Sequence, residues 1–129
     1  MKDLTVEEVE AMLLKSGQER YVYTIKRIAE HEEAWTLKTS DGIVATEDED
    51  GSFYFPVWPS REYALKCKIE EWENCELVKL PITILIEVIL PGLSRAGTQV
   101  VVFNVPNDPV STIVSADDFS SNILHECSK

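Results

Sequence analysis

The stretch WTLKTSDGIVATEDEDGSFYFPVW, residues 35–58, decides the fold. Three runs rich in β-branched and aromatic residues are separated by Asp41-Gly42 and Asp50-Gly51, and an Asp-Gly dipeptide between such runs is a strong hairpin signal. The pattern predicts an antiparallel β-meander of three strands with these dipeptides in the reverse turns. Because Pro56 cannot donate a backbone hydrogen bond, we predict that the third strand lies at a sheet edge or ends there.

Two helices are predicted before the meander. Thr5 is placed to cap the first, with Glu8 completing a capping box and Leu4 able to pack on Val9. Ser16-Gly17 ends that helix and, with Glu19, caps the second. The second helix has an apolar stripe at helical spacing, formed by Tyr21, Ile25, Ile28 and Ala29.

The chain after the meander predicts a helix, a strand, a second helix, a hairpin and a last helix. Segment 82–90 fits either a helix or a buried strand, and we favour a helix because Pro91-Gly92 is a helix-ending signal. The predicted elements are a helix capped by Pro59-Ser60 over 61–72, a strand over 75–80, a central strand over 99–105, a turn over 106–109, a partner strand over 111–114, and a helix capped by Asp117 through 124. We therefore predict one α+β domain over residues 1–129.

Charge and length exclude several classes of protein. The 129 residues include 23 acidic and 12 basic side chains, a formal net charge of −11. Such a surface repels a phosphate backbone, so we expect no nucleic-acid partner. The most apolar stretch, residues 80–90, is about half the length of a membrane-spanning helix, and no apolar leader opens the chain, so we expect a cytoplasmic protein with no membrane contact.

The residues that usually carry catalysis or bind metals form no complete set. Five glycines are scattered and make no phosphate-binding loop. His31 lies among glutamates at a predicted helix end, and His125 and Cys127 lie in a predicted C-terminal tail that would not hold a base near a nucleophile. The acidic run 47–50 lacks the ligand spacing of a calcium loop, and three cysteines do not make a zinc site. We predict no catalytic residue, no metal and no cofactor.

Aromatic and arginine side chains supply the candidate binding residues. Tyr23 and Trp58 fall opposite the main apolar stripes, and Arg20 and Arg27 lie off the stripe of the second helix. Because Trp, Tyr and Arg dominate binding hot spots, we predict an exposed recognition patch of Arg20, Tyr23, Arg27 and Trp58. The alternatives are pairing of the arginines with neighbouring glutamates, or a second small core.

Several short motifs in order resemble a known family. They are Glu19-Arg20-Tyr21, Trp35-x-Leu37, Pro56-Val57-Trp58-Pro59 and Leu90-Pro91-Gly92-Leu93. Over about residues 17–125 the chain resembles the bacterial domain-of-unknown-function family number 2750. That resemblance implies an α+β fold and a bacterial origin, and it carries no activity. The order of segments is more loosely similar to the N-terminal domain of SseB-type secretion enhancers, which is an analogy of fold only.

These observations favour a non-catalytic, acidic interaction module that binds a protein partner, and the net negative charge favours a basic one. The alternative is a small enzyme with an unrecognised site. We also predict a homodimer, because segment 82–90 would be apolar on nearly every side as a helix. The alternative is that the protein's own C-terminal helix covers those side chains, which are Ile82, Ile84, Leu85, Ile86, Val88 and Ile89.

Overall fold

Two sheets divide the strands of the described chain between them. The computed structural model describes residues 4–39, 42–43, 46–47, 53–67, 75–105 and 112–129. One sheet has the order β2-β1-β5 and the other β3-β4-β6-β7. The strands are β1 Glu33–Thr39, β2 Gly42–Ile43, β3 Thr46–Glu47, β4 Phe53–Val57, β5 Glu76–Pro81, β6 Gln99–Val102 and β7 Thr112–Val114.

All the strand pairs are antiparallel except β4 and β6, which run parallel. The α+β class is confirmed, and the pairs β1–β2 and β3–β4 are antiparallel as the meander predicts, but the two pairs belong to different sheets. A bridge between Trp35 and Trp58 joins the two sheets. The predicted turns at Asp50-Gly51 and at 106–109 lie outside the described residues.

Pro56 is not in an edge strand, because β4 lies between β3 and β6. Trp58 exchanges two backbone hydrogen bonds of 2.9 Å with Trp35, so alternate residues of β4 turn their backbone groups away from β6 and toward β1. Pro56 shares that orientation, and its carbonyl accepts a 2.7 Å hydrogen bond from the Thr36 hydroxyl. The hydrogen bonds between β4 and β6 therefore do not need the backbone N–H that Pro56 lacks.

The helices pack on these sheets, and the first two begin where the sequence predicts. The Thr5 hydroxyl accepts from Glu8 N, and Ser16 and Glu19 form a reciprocal capping box. The helices are α1 Val6–Leu13, α2 Gly17–His31, α3 Arg61–Cys67, α4 Ile82–Ile84, a π-helical turn Leu85–Ile89, α5 Leu90–Ala96 and α6 Ala116–Cys127.

Segment 82–90 is helical, as favoured, but Pro91-Gly92 does not end it. The helix continues as α5 to Ala96, and its C-cap, Gly97, has a left-handed φ of 73°. Within an α-helical ladder the ring of Pro91 would clash with the carbonyl of Glu87. The π-helical turn ends at Ile89, two residues before Pro91, so the carbonyls that precede the proline are not spaced as in a regular α-helix.

The last helix differs from its prediction at both ends. Ser115, not Asp117, is the N-cap, and its hydroxyl accepts from Asp118 N at 3.0 Å. The helix continues through His125 to Cys127 instead of ending at residue 124, so these two residues are helical. For α3 the structure describes the helix to Cys67, and the rest of the predicted helix lies outside the described residues.

The core lies where α2, α3 and α6 meet the strands β1, β4 and β6. Its largest fully buried side chains include Trp58, Arg20, Tyr63, Phe103, Phe119, Ile28, Leu37 and Leu85. Arg20 and Trp58, two of the four predicted patch residues, are therefore interior.

The serines that precede α2 and α3 give different predictions for replacement by alanine. We expect Ser16→Ala to lower the free energy of unfolding by about 1 kcal/mol, because the Ser16 hydroxyl accepts from Glu19 N. The Ser60 hydroxyl is buried and has no hydrogen-bond partner among the described residues, so Ser60→Ala should cost nothing or be slightly stabilising. Urea unfolding of both variants measures the two losses of unfolding free energy, and equal losses would contradict the prediction.

Candidate functional site

Arg20 is fully buried, so its predicted exposure is wrong. Its Nη1 donates to the Lys15 carbonyl at 2.6 Å, and its guanidinium carbon lies 5.8 Å from the centre of the Phe103 ring. The physical reason is that α2 buries a second stripe, formed by Gly17, Arg20, Thr24 and Ile28, in addition to the predicted one. A cation stacked on an aromatic ring is stabilised where water is excluded.

Trp58 is also fully buried, and its predicted exposure is wrong for a different reason. Its backbone joins the two sheets through Trp35, which fixes the indole between them. The indole Nε1 donates to the carbonyl of Asn104 at 3.1 Å, so the polar atom is satisfied inside the protein.

Tyr23 and Arg27 are only partly buried, and the Arg27 guanidinium contacts the Tyr23 hydroxyl. The hydroxyls of Tyr23 and Tyr63 lie 2.9 Å apart, and Arg27 Nη1 approaches the Tyr23 hydroxyl at 3.5 Å. The two tyrosine rings make an edge contact at 5.7 Å, and the Tyr63 ring lies 4.8 Å from that of Phe103. Arg20, Tyr23 and Arg27 therefore belong to one cluster, with Tyr63 and Phe103 at its centre.

Two titratable groups, Tyr63 in this cluster and Cys67 on the same helix, are held in their protonated forms. Burial, and then the hydrogen bond with Tyr23, raises the pKa of Tyr63 well above its usual range. Burial raises the pKa of the Cys67 thiol to about 12, although Trp58 and Arg20 act in the opposite direction. A thiol with a raised pKa is a poor nucleophile, so these groups support a structural role for the cluster.

Phe103 adopts a left-handed backbone conformation, with φ of 54°. Such a conformation is uncommon for a bulky residue and is strained. It is held by a 2.8 Å hydrogen bond from Phe103 N to the Val57 carbonyl, and by the ring contacts with Tyr63 and Arg20. The cluster thus fixes the chain where β6 ends.

An apolar surface feature lies on the outer side of α3. Between α1 and α3 is a cavity of about 260 Å³, here called the α1–α3 groove. Val6 and Leu65 remain 69 % and 51 % exposed there. Its apolar lining is Leu4, Val6, Val9 and Leu65, and its charged lining is Glu10, Glu62 and Lys66.

The opposite flank of α1 borders a second hollow of about 360 Å³ against α2. Met12, Val22 and Tyr23 are among its lining residues. Within α1 itself only Val9 is buried. The helix packs on the core through Val9, and Met12 and Leu13 pack against that core while partly buried.

Sequence reasoning missed Val6 and Leu65, although one signal for Leu65 was present. The apolar residues of α3 spread widely around the helix, and Leu65 is two positions from the buried Tyr63. Residues two apart on a helix do not face each other, so one of the two had to point away from the core.

Two further observations concern metals and membranes. Among the residues described, no three His, Cys, Asp or Glu side chains are grouped so that they could hold a metal ion. No helix in the described ranges combines the length and the apolar character needed to cross a bilayer.

The fold and this cluster define an α+β protein in which two of the four predicted patch residues, Arg20 and Trp58, are interior. The family described as protein of unknown function (DUF2750) matches residues 21–123, and the chain belongs to that family. The match begins within α2 and leaves α1 outside it. A search of curated proteins finds no match. The looser similarity to the SseB-type domain stays an expectation from the order of segments.

Proposed function

We propose that this protein is a non-catalytic cytoplasmic module that binds a basic protein partner in the α1–α3 groove. The observation that carries the proposal is the pair of exposed apolar side chains, Val6 and Leu65, beside acidic residues. An apolar strip flanked by charge is the surface that an amphipathic helix of opposite charge fits.

The charge around the groove favours a basic occupant. α1 carries Glu7, Glu8 and Glu10 and no basic residue. Glu62 adds a further acid from α3, against a single Lys66 in the lining. Residues 1–77 contain 18 of the 23 acidic side chains and 9 of the 12 basic ones. A field of one sign speeds the encounter with a partner of the other sign.

The size of the groove favours a protein partner over a small molecule. Ligand pockets usually enclose about 300–1,000 Å³, whereas the groove encloses about 260 Å³ and is open along α1. Such a volume suits a few apolar side chains inserted from another protein. The alternative of a small enzyme has less support, because Tyr63 and Cys67 are buried and stay protonated.

The test uses a fluorescently labelled amphipathic peptide with leucines on one helical face and lysines on the other. Replacing Leu65 by lysine puts a positive charge into the groove, and we expect it to weaken peptide binding at least about tenfold. The matched control is Leu124→Lys on α6, because Leu124 is also 51 % exposed and does not line the groove. Binding to this control should change less than about twofold.

A scrambled peptide of the same composition separates groove binding from attraction by charge alone. Equal affinity for both peptides, or equal losses in the two variants, would contradict the proposal. Affinity capture from native lysate with the wild type and Leu65→Lys, followed by mass spectrometry, then identifies the partner as a protein lost only with the groove variant.

A further inference from the structure

The outer side of the helical segment 82–96 exposes apolar side chains that the core does not cover. Ile84 is 42 % exposed and Val88 56 %, whereas Leu85 and Leu90 on the other side are buried. α5 packs against α6, so the protein's own C-terminal helix covers one side of this segment. The alternative of complete internal burial is therefore wrong for Ile84 and Val88.

The π-helical turn aligns these side chains with Gly92. A π turn holds more than four residues, so a four-residue step through it returns almost to the same side of the helix. Ile84, Val88 and Gly92 are each four residues apart and thus form one line. A Cβ built on Gly92 would meet only Arg95 Nη2, at 4.0 Å, so a side chain from outside has room to pack there.

The charges of the segment are self-complementary. Its only charged residues are Glu87 and Arg95, so its net charge is zero in a chain of net charge −11. Both are exposed and flank the same side of the line. In an antiparallel helix pair related by a two-fold axis, residues on the same flank face each other across the interface.

We propose that two copies of this chain form a two-fold symmetric dimer in which segment 82–96 pairs antiparallel with its counterpart. Val88 then packs on the partner's Gly92, and Glu87 pairs with the partner's Arg95. A second copy fits better than a basic protein, because the acids are concentrated in residues 1–77 and this segment is neutral. Two acidic chains meet with least repulsion through their least charged face.

The first test is sedimentation velocity at physiological salt, with protein concentrations up to about 100 μM. We expect the wild type to dimerise and Val88→Lys to raise the dimer dissociation constant at least about tenfold. The control is Val22→Lys, since Val22 is also a helical valine and is 42 % exposed on α2. It should dimerise like the wild type, and thermal melts check that both variants are folded.

The second test exchanges the charges. Glu87→Arg or Arg95→Glu alone places like charges opposite each other and should weaken the dimer about threefold to tenfold. The double variant restores opposite charges and should recover most of the affinity. A monomeric wild type at the highest concentration, or a double variant no better than the single ones, would overturn the proposal. Val88→Lys should leave binding of the basic peptide unchanged, which separates this interface from the α1–α3 groove.

Discussion

Replacing Trp58 by alanine is expected to lower the free energy of unfolding by about 3–5 kcal/mol. The indole is fully buried, and its Nε1 donates to the Asn104 carbonyl. Its removal leaves a cavity between the two sheets and takes the indole donor away from the Asn104 carbonyl. Because domains of this size are stable by about 5–15 kcal/mol in total, the variant should lose a large part of its stability and melt at least about 10 °C below the wild type.

Phenylalanine variants keep this prediction measurable if Trp58→Ala does not fold. Trp58→Phe retains most of the apolar volume but loses the hydrogen bond, and we expect a loss of about 1–3 kcal/mol. The control is Trp35→Phe, which removes a 2.8 Å hydrogen bond to Glu33 Oε2 from a partly exposed indole and should cost less than about 1 kcal/mol. Urea unfolding of both variants decides, and a larger loss for Trp35→Phe would contradict the role given to the hydrogen bond between Trp58 and Asn104.

Alkaline pH is expected to destabilise the protein through Cys67. The folded state raises the pKa of this thiol from 9.0 to about 12, so folding favours the neutral form. The stabilisation is complete below pH 9 and is lost as the pH rises toward 12. The loss is on the order of 3 kcal/mol at pH 11, since one pKa unit corresponds to about 1.4 kcal/mol. Tyr63, with its raised pKa, adds to the loss above pH 10.

The measurement is the free energy of unfolding at pH 8 and pH 11 under reducing conditions. Cys67→Ala carries a packing cost that is the same at both values, so its loss between them should be smaller than that of the wild type. Cys127→Ala is the control, because Cys127 is exposed and its removal should leave the difference unchanged. Identical pH differences in the wild type and Cys67→Ala would show that the thiol ionises normally in the folded state.

Local signals in the sequence predicted the starts of the first two helices. Ser16 and Glu19 are three residues apart before an apolar stripe, and the structure shows the capping box that this spacing predicts. The central position of β6 was also predicted, because its residues are apolar on both faces. Such features depend on neighbours in the sequence, so no knowledge of the tertiary structure was needed.

Features decided by distant contacts could not be predicted in this way. Arg20 lies inside because Phe103, far along the chain, offers its ring to the guanidinium. Pro56 lies in a central strand because Trp35 and Trp58 orient the backbone beside it. Arginine is usually exposed, and proline in a strand usually marks a sheet edge. At each of these two positions one long-range contact overrides the usual rule.

The candidate site also combines features that local sequence predicts with features that depend on distant contacts. Tyr23 and Arg27 do lie together, as the helical spacing of four residues requires. The α1–α3 groove was not predicted, because α1 and α3 are separated by about 50 residues and nothing local places them side by side. Only the position of Leu65, off the buried side of α3, pointed to an exposed apolar surface.

The π-helical turn Leu85–Ile89 has a consequence for how this surface could change in evolution. Geometrically, a π turn is an α-helix with one residue inserted. Deleting that residue would leave Ile84 and Gly92 seven positions apart, and seven residues of a regular α-helix make almost two full turns, because it has 3.6 residues per turn. Both residues would therefore keep the same side of the helix, and the buried side would keep its place. The shorter helix would change only the middle of the line, where Val88 lies. A single codon would thus alter the centre of this outer face in a homologue and leave its two ends in place.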